Sequence, residues 1–338
     1  MKRISICIPT YNRATELEVL FESIKNSGEV SGVIDEFEII VSDNSSTDGT
    51  TEVIKQYRNY FPHFKSHVFD ENLGPDANYL KVIDMATSEF VWLMGSDDAV
   101  SLDGLNDILA VINSDPADLY LMDILKCDKN LNVFSSHSWF DSKDHRTYNL
   151  YEDSERIRLF DQAIPFWGLL FGYLSAIIFR KDKWVSEGYD EQYSNSLYSF
   201  LYPIMKMISR GSIFRHISSN VILNRGDNDS MLADLVQDRM FKRLSHDIFW
   251  YEHFGSFFAN PNVKFAYFKL AARNFHFYYV LKLRALADDQ SWAVCALKLK
   301  GFGVSELMLS CVGNAKFLAR GVIFLLSVRK QIIHKGGS

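Results

Sequence analysis

Two adjacent carboxylates, Asp97 and Asp98, stand just beyond an apolar run at residues 90–94, separated from it by Gly95 and Ser96. The run is short and has no polar alternation, which predicts a buried strand. Carboxylates at the end of such a strand are costly unless a positive group neutralises them. A hard divalent cation shared with substrate phosphates would do so, because such ions take oxygen ligands. The stretch therefore predicts a metal and phosphate site, with a solvated acidic loop as the alternative.

The elements that would position these carboxylates alternate along the first hundred residues. Three earlier runs also predict strands, at residues 4–8, 37–41 and 65–69. A segment with helical periodicity follows each of them, so the order is β-α-β-α-β-α-β. This order is typical of an α/β fold with a mainly parallel sheet flanked by helices. Because ligands bind at the carboxyl edge of such sheets, we expect residues 9–13, 42–49 and 95–98 to surround one crevice.

The crevice lacks the usual glycine-rich cradles for phosphate. No Gly-x-Gly-x-x-Gly follows the first strand, and no Gly-Lys-Ser/Thr occurs anywhere in the chain. A diphosphate bound here would need another counter-charge. An ion held by Asp97 would supply that charge.

Composition limits the classes of function. A chain of 338 residues with a net charge of −6 suggests about two domains and argues against a general nucleic-acid binder. Residues 290–338 nevertheless carry a net charge of +6, which leaves −12 for the rest. The sequence shows no signal peptide, no membrane-spanning apolar window and four scattered cysteines, which favours a reducing compartment. We therefore expect a cytoplasmic protein whose basic, apolar tail suits peripheral contact with an anionic membrane face.

The later part of the chain has a less regular pattern. Strands are predicted at residues 118–124, 173–180 and 221–223, a polar loop at 126–149, and helices from residue 231 to the end.

Four motifs lie in the first hundred residues: residues 8–13 (IPTYNR), 41–50 (VSDNSSTDGT), 71–74 (ENLG) with Asn78, and 94–98 (MGSDD). In order and spacing they resemble family 2 glycosyltransferases with the GT-A fold. The resemblance implies a nucleotide-diphospho-sugar donor and Mg²⁺ or Mn²⁺. It also implies a nucleotide-sugar-binding half at residues 1–125 and an acceptor-binding half at 126–230. The helical region at 231–338 would come last.

The resemblance assigns seven residues to the nucleotide and its metal: Pro9, Thr10, Tyr11, Arg13, Asp43, Ser96 and Asp97. The first three would line the base and ribose, and Arg13 would lie near the nucleotide. Asp43 would accept a hydrogen bond from the base, and Asp97 would hold the metal. Asp98 would orient the donor sugar. Tyr11 as a surface aromatic and Asp43 as a helix cap are the alternative interpretations.

The chain departs from the family pattern at two places. Gly95 replaces the first Asp of the family's Asp-x-Asp, so a metal would bind more weakly or take a ligand from elsewhere. Leu197 and Tyr198 stand where the family places a Glu-Asp pair, whose Asp is the general base. An inverting transfer needs a base within hydrogen-bond reach of the acceptor hydroxyl, and the candidates are Asp190, Glu191, Asp161 and His216. Otherwise the reaction retains configuration without an enzyme base, or the site is inactive.

A dense polar loop at residues 224–230 follows the strand predicted at 221–223. The family often has a loop here that closes over the diphosphate. Arg225 is the residue we expect to contact phosphate, because a planar guanidinium matches phosphate oxygens bidentately. A capped turn before the next helix is the alternative.

The resemblance is narrower for bacterial O-antigen dideoxyhexosyl transferases of the abequosyl type. It implies transfer of a 3,6-dideoxyhexose to a lipid-diphosphate-linked oligosaccharide. The competing hypotheses are an inverting rhamnosyl- or hexosyltransferase of the same fold and a non-catalytic nucleotide-sugar-binding partner in a polysaccharide assembly complex.

Overall fold

A computed structural model of the chain describes residues 3–141, 145–165, 169–190, 197–226, 237–316 and 319–321, with the backbone alone at 237–240, 242 and 243. The chain divides into two compact units. The first comprises Met1–Ile164 and Leu170–Asn228, and the second comprises Pro165–Leu169 and Asp229–Ser338. The expected division of the first unit after residue 125 stays a prediction.

Within the described residues, ten strands of the first unit form one sheet. The strands are β1 (Ile4–Thr10), β2 (Phe37–Asp43), β3 (Phe64–Val68), β4 (Phe90–Leu93), β5 (Ala99–Val100), β6 (Leu119–Cys127), β7 (Val133–His137), β8 (Arg146–Asn149), β9 (Ile177–Arg180) and β10 (Ile213–Arg225). Their order is β3-β2-β1-β4-β9-β6-β10-β5, with β7 beside β6 and β8 beside β10.

The described helices of this unit connect the strands. They are α1 (Ala14–Ser31), α2 (Thr50–Tyr57), α3 (Pro75–Met85), α4 (Gly104–Ser114), α5 (Asp153–Gln162), α6 (Lys181–Ser186) and α7 (Leu201–Arg210). Leu17, Leu20, Phe21 and Ile24 of α1 are buried, so the helix covers the sheet with one apolar face.

The first four strands carry the donor-side motifs. β3, β2, β1 and β4 are all parallel, as the alternating sequence pattern predicts. All seven residues of β1 and of β2 are buried, which explains why these strands are apolar runs rather than alternating ones. The chain passes from β1 to β2, which pairs with one side of β1, whereas β4 pairs with its other side. Ligands bind at such a switch point.

The rest of the sheet corrects two predictions. β9 runs antiparallel between β4 and β6, and a 3₁₀ turn at Leu174–Ala176 replaces the first part of the strand predicted at 173–180. Residues 126–149, predicted as a loop, contain β7 and β8. Their residues are largely exposed, so these edge strands lack the apolar signal on which the prediction depended.

The described part of the second unit is helical. Its helices are α8 (Gln237–Gly255), α9 (Pro261–Asn274), α10 (Phe277–Leu286), α11 (Asp289–Gly301) and α12 (Glu306–Asn314). Rings of Tyr251, Tyr267, Phe275 and Phe302 meet in its core with centroids 5.5–6.3 Å apart. Such aromatic packing explains helices that are apolar on much of their surface. None of the described helices is long and apolar enough to cross a bilayer.

Candidate active site at the carboxyl edge of the sheet

The loops after β1 and β2 are joined by hydrogen bonds of Asn12. Its backbone N–H donates to Ser46 Oγ at 2.8 Å, and its Oδ1 accepts from Thr47 N–H at 2.8 Å. Asn12 has a φ of 50°, a region that Asn tolerates better than most residues. The two loops therefore form one surface, on which the Tyr11 ring is 42% exposed.

Asp48 accepts hydrogen bonds from the first residue of two helices, α1 and α2. Oδ2 accepts from Ala14 N–H at 3.1 Å, while Oδ1 accepts from the Thr50 N–H and hydroxyl at 2.9 and 2.5 Å. Burial opposes ionisation of Asp48, but these hydrogen bonds prevail and hold its pKa below the usual value. Thr50 Oγ1 in turn accepts from the Arg13 N–H at 3.0 Å, which fixes the backbone at the start of α1.

Asp43 is fully buried at the end of β2. Its Oδ1 accepts from Ser46 N–H at 3.0 Å and from Ser46 Oγ at 2.5 Å, and Oδ2 accepts from Thr51 Oγ1 at 3.1 Å. The carboxylate thus closes its own turn. The backbone N–H it accepts is that of Ser46 and not one of α2, which begins at Thr50, so the helix-cap interpretation is wrong. Carboxylate oxygens offer about four lone-pair sites, so recognition of a base by Asp43 stays a prediction beside this structural role.

The asparagines of the third motif hold the β1 and β2 ends together. Asn44 Nδ2 donates to Asn72 Oδ1 at 2.8 Å and to the Gly74 carbonyl at 3.1 Å. Asn78 Nδ2 donates to the Thr10 carbonyl at 3.1 Å. Thr10 Oγ1 is buried and has no hydrogen-bond partner among the described residues. A polar atom of this kind at the crevice is suited to a ligand hydroxyl.

The carboxylate of Asp97 lies at the crevice and is about one quarter exposed. Oδ2 forms an ion pair with Nη1 of Arg13, which reaches across from the β1–α1 loop. The predicted metal-binding residue and the predicted nucleotide-binding cation are therefore in direct contact. Ser96, beside them, is buried.

Asp98 is 3% exposed and is the centre of a hydrogen-bond cluster. Oδ2 accepts from Tyr173 OH at 2.6 Å and Ser175 Oγ at 2.5 Å. Oδ1 accepts from the Arg225 N–H at 3.1 Å and lies 3.5 Å from Asn224 Nδ2. This carboxylate ties the β4 loop to the segment before β9 and to the end of β10.

The environment of Asp98 favours its protonated form. Burial, followed by the negative charge of Asp97, raises the pKa of Asp98 to about 7, against the opposing effect of its hydrogen-bond donors. Burial and the charge of Asp98 also raise the pKa of Tyr173 well above its usual value. Tyr173 is therefore a neutral hydrogen-bond donor to Asp98 at neutral pH.

Gly95 lies where a side chain would be crowded. A Cβ there would stand 3.0 Å from Asp97 Oδ1 and Asp98 Oδ2, and 3.1 Å from Ser175 Oγ. The Gly95 N–H donates to Ser175 Oγ at 2.9 Å. An Asp at this position would bring a third carboxylate against two others. The departure from Asp-x-Asp is thus consistent with how closely the Asp98 cluster approaches this backbone.

Arg225 supports the Asp97 segment through its side chain. Nε donates to the Asp97 carbonyl at 2.6 Å and Nη1 donates to the Lys129 carbonyl at 2.6 Å. Nη2 is buried with no hydrogen-bond partner among the described residues. The expected phosphate contact of Arg225 stays a prediction, and residues 227–230 of its loop lie outside the described part.

The candidate bases occupy different environments. His216 is fully buried, with Nε2 2.7 Å from Asp123 Oδ1, so its ring is in the core. Asp161 lies on the exposed side of α5. Asp190 follows α6 near Tyr202, whose pKa is raised by burial and then by the charge of Asp190. Glu191 lies outside the described residues.

The segment that replaces the Glu-Asp pair is anchored from α3. Asp76 is 3% exposed, and its two carboxylate oxygens accept from Leu197 N–H at 2.8 Å and Ser199 N–H at 3.1 Å. Tyr79 of α3 packs edge-on against Phe200, with ring centroids 5.5 Å apart. The backbone at 197–199 is therefore fixed although it presents no carboxylate.

The carboxylates available at this edge determine which metal ions could bind there. No cluster of three or more His, Cys, Asp or Glu side chains suited to a metal occurs among the described residues. Asp98 already accepts from protein donors on both oxygens, so Asp97 is the carboxylate that an ion could use. Mg²⁺ is commonly bound by one or two carboxylates together with substrate phosphates, and Mn²⁺ also suits oxygen ligands. The residues fit an ion that is shared with a diphosphate.

Four contributors to this edge were not recognised in the sequence: Asp76, Tyr173, Ser175 and Asn224. The sequence predicts a core strand for Tyr173 and Ser175 and a polar loop for Asn224. For Tyr173 and Ser175, a polar side chain within an apolar run was the available signal, because buried hydroxyls need hydrogen-bond partners.

Comparison with protein families gives a match over most of the strands of the sheet, from β1 to β9. The model described as "Glycosyl transferase family 2" matches residues 5–182. Abequosyltransferase RfbV of Salmonella typhimurium is 35% identical over 310 residues, which cover 90% of this chain and 85% of that protein. A GalNAc(5)-diNAcBac-PP-undecaprenol beta-1,3-glucosyltransferase of Campylobacter jejuni is 26% identical, over 57% of this chain and 56% of that protein.

Solved structures share the fold at low sequence identity. Staphylococcus aureus TarS 1–349 in complex with UDP superposes with a TM-score of 0.57 at 15% identity, covering 93% of this chain and 90% of that one. A Pyrobaculum calidifontis mannosyltransferase in complex with GDP-Man and Mn²⁺ gives 0.54 at 16% identity, covering 95% and 86%. These likenesses confirm the GT-A fold that the sequence motifs predict.

Proposed function

This chain belongs to glycosyltransferase family 2, and we propose that it transfers a 3,6-dideoxyhexose from a nucleotide-diphosphate donor to a lipid-linked oligosaccharide of a surface polysaccharide. The observation that carries the proposal is the 35% identity to an abequosyltransferase over 90% of the chain. The grouping of Tyr11, Arg13, Asp43 and Asp97 at one sheet edge supports it. We further propose that residues 1–125 bind the donor and residues 126–230 bind the acceptor.

In the proposed mechanism the donor lies along the carboxyl edge. Tyr11, with its exposed ring, covers the base and ribose beside Pro9 and Thr10. A Mg²⁺ or Mn²⁺ ion held by Asp97 would neutralise charge on the leaving nucleoside diphosphate. Arg225 places a positive charge next to Asp97 and braces its backbone. Asp98 positions both segments through its hydrogen bonds.

The donor assignment is tested by thermal shift and product analysis. UDP, GDP, CDP and dTDP are compared with and without Mn²⁺, and the correct nucleotide at about 100 Kd should add roughly 2.7 kcal/mol of stability. Transfer from the matching nucleotide-3,6-dideoxyhexose to a lipid-diphosphate oligosaccharide is then measured, with the product anomer assigned by NMR. Transfer of rhamnose or a hexose in its place favours the inverting competitor. Nucleotide binding without turnover favours the non-catalytic partner, for which Gly95 and Leu197–Tyr198 are the supporting departures.

Asp190 and Glu191 are the proposed candidates for general base. Asp190→Asn and Glu191→Gln are compared, and the change that removes the base should lower kcat by about 10²–10⁴-fold. Binding of the nucleotide should not change, because the base acts on the acceptor hydroxyl. The decrease should be smaller at high pH if hydroxide replaces the base. If neither change affects kcat and the product retains the donor's configuration, then transfer uses no enzyme base.

The C-terminal helices present an apolar surface that we propose lies on a membrane. Val294 and Leu297 of α11 are 52% and 72% exposed, and Leu307 of α12 is 74% exposed. Interfacial helices bind through exposed apolar side chains and nearby basic residues. Lys300 of α11 is more than half exposed, although it is paired with Glu306.

Replacement of both leucines, as Leu297→Glu with Leu307→Glu, should weaken binding to phosphatidylglycerol-rich vesicles by at least about tenfold. Sedimentation with vesicles measures the bound fraction, and phosphatidylcholine vesicles report the contribution of charge. Val185→Glu is the matched control, because Val185 is a 55% exposed apolar residue of α6. Equal binding of the double variant and the control would contradict the membrane assignment.

A further inference from the structure

The contact between Arg13 and Asp97 has a consequence for how an ion would bind. The proposed metal-binding carboxylate is already paired with a guanidinium. The side chains of Arg13 and Asp97 are 20% and 26% exposed, so the pair is partly shielded from water. A divalent cation arriving alone at Asp97 would meet a positive charge at the same carboxylate. Repulsion between the guanidinium and the cation opposes binding of the cation.

The main chains of both residues are held in place. Arg13 N–H donates to Thr50 Oγ1 at 3.0 Å, and the Asp97 carbonyl accepts from Arg225 Nε at 2.6 Å. Neither anchor uses the Arg13 guanidinium or the Asp97 carboxylate. These two anchors would therefore remain if the guanidinium exchanged one anionic partner for another.

We propose that Arg13 is a resident counter-ion of Asp97, which disfavours a divalent cation there until a donor diphosphate draws the guanidinium away. The inference rests on the proposed function, because it requires a diphosphate at this edge. A guanidinium pairs bidentately with phosphate oxygens, so the diphosphate is a competent second partner. Release of Asp97 then frees the carboxylate for the ion.

The consequence is that the ion and the nucleotide bind cooperatively. Each should raise the affinity for the other by the same factor, because such coupling is reciprocal. The buried Asp98 cannot substitute for Asp97, since its oxygens accept from Tyr173, Ser175 and the Arg225 backbone. Arg13 accordingly sets the order in which metal and donor bind.

The test measures Mn²⁺ binding to the full chain without any nucleotide. Electron paramagnetic resonance of free Mn²⁺ gives the affinity for the wild type, Arg13→Gln and the control Arg58→Gln, whose side chain is exposed beyond α2. Arg13→Gln should bind Mn²⁺ alone about fivefold more tightly, the scale of a partly exposed ion pair. Arg58→Gln should match the wild type. Asp97→Asn should abolish the binding in either background.

The second arm measures UDP, GDP, CDP and dTDP in turn by calorimetry, with EDTA and then with Mn²⁺. Arg13→Gln should weaken the best nucleotide in EDTA and reduce the gain that Mn²⁺ gives. If the nucleotide binds normally but Mn²⁺ affinity without nucleotide is unchanged or weaker in Arg13→Gln, the counter-ion proposal is overturned while the proposed function stands. If no nucleotide binds to any variant, both are overturned.

Discussion

Asp97→Asn is expected to lower the rate of sugar transfer by about 10²–10³-fold, the effect of several kcal/mol of lost charge stabilisation. The change removes the carboxylate that would hold the metal and keeps the size and shape of the side chain. Thermal unfolding should change little, because the side chain is partly exposed and its main chain remains bound to Arg225. Initial rates of transfer over a range of Mn²⁺ concentrations measure the effect.

A matched control is available on the same unit. Asp84 is an exposed carboxylate of α3, and Asp84→Asn should leave transfer and its Mn²⁺ dependence unchanged. Full activity of Asp97→Asn, with or without metal, would show that the diphosphate is neutralised elsewhere. The metal-binding role assigned to Asp97 would then be wrong.

The donor side of the fold was predictable from sequence because its determinants are local. β1, β2 and β4 are buried on both faces and are therefore apolar runs, and the loops after them lie at one edge by the geometry of parallel sheets. The predicted proximity of the 9–13, 42–49 and 95–98 loops is confirmed by the hydrogen bonds of Asn12 and by the Arg13–Asp97 pair. Their individual roles in binding stay predictions.

The partners of Asp98 were not predictable in the same way. Tyr173 and Arg225 are 75 and 127 residues away from Asp98 in the chain. They reach Asp98 because β9 lies next to β4 in the sheet and β10 lies two strands beyond β9. No periodicity in the sequence specifies that pairing. The anchor from Asp76 to residues 197–199 is equally non-local. β7 and β8 were missed because exposed edge strands resemble polar loops.

The Asp98 cluster leads to a second large effect, in which two substitutions at one position should differ. Asp98→Ala would leave the Tyr173 and Ser175 hydroxyls and the Arg225 N–H without their acceptor, and should lower the free energy of unfolding by about 3–5 kcal/mol. Asp98→Asn should cost less, about 1–3 kcal/mol. Its oxygen can accept from both hydroxyls, which leaves only the Arg225 N–H without an acceptor.

Transfer activity distinguishes a positioning role of Asp98 from a role for its charge. If the carboxyl acts by holding Arg225 and the 173–175 segment in place, Asp98→Asn should keep most of the activity and Asp98→Ala should lose it. Chemical denaturation and initial rates are measured on the same preparations. Ser101→Ala in the following loop is the control for a small polar change near β5. Loss of activity in Asp98→Asn without loss of stability would show that the negative charge itself is required.

The pH dependence of stability gives an independent check on the same carboxyl. Asp98 has a pKa of about 7 in the folded chain, against 3.8 as its ordinary value. The folded state therefore binds this proton more tightly, and the resulting stability is complete below pH 3.8 and lost as pH rises through about 7. Asp98→Asn cannot titrate at this position. The stability of the wild type relative to this variant should therefore decrease as the pH rises from 3.8 to about 7. Denaturation at several pH values measures the difference, and a constant difference would show that Asp98 is ionised throughout and that its buried charge is compensated by the donors around it.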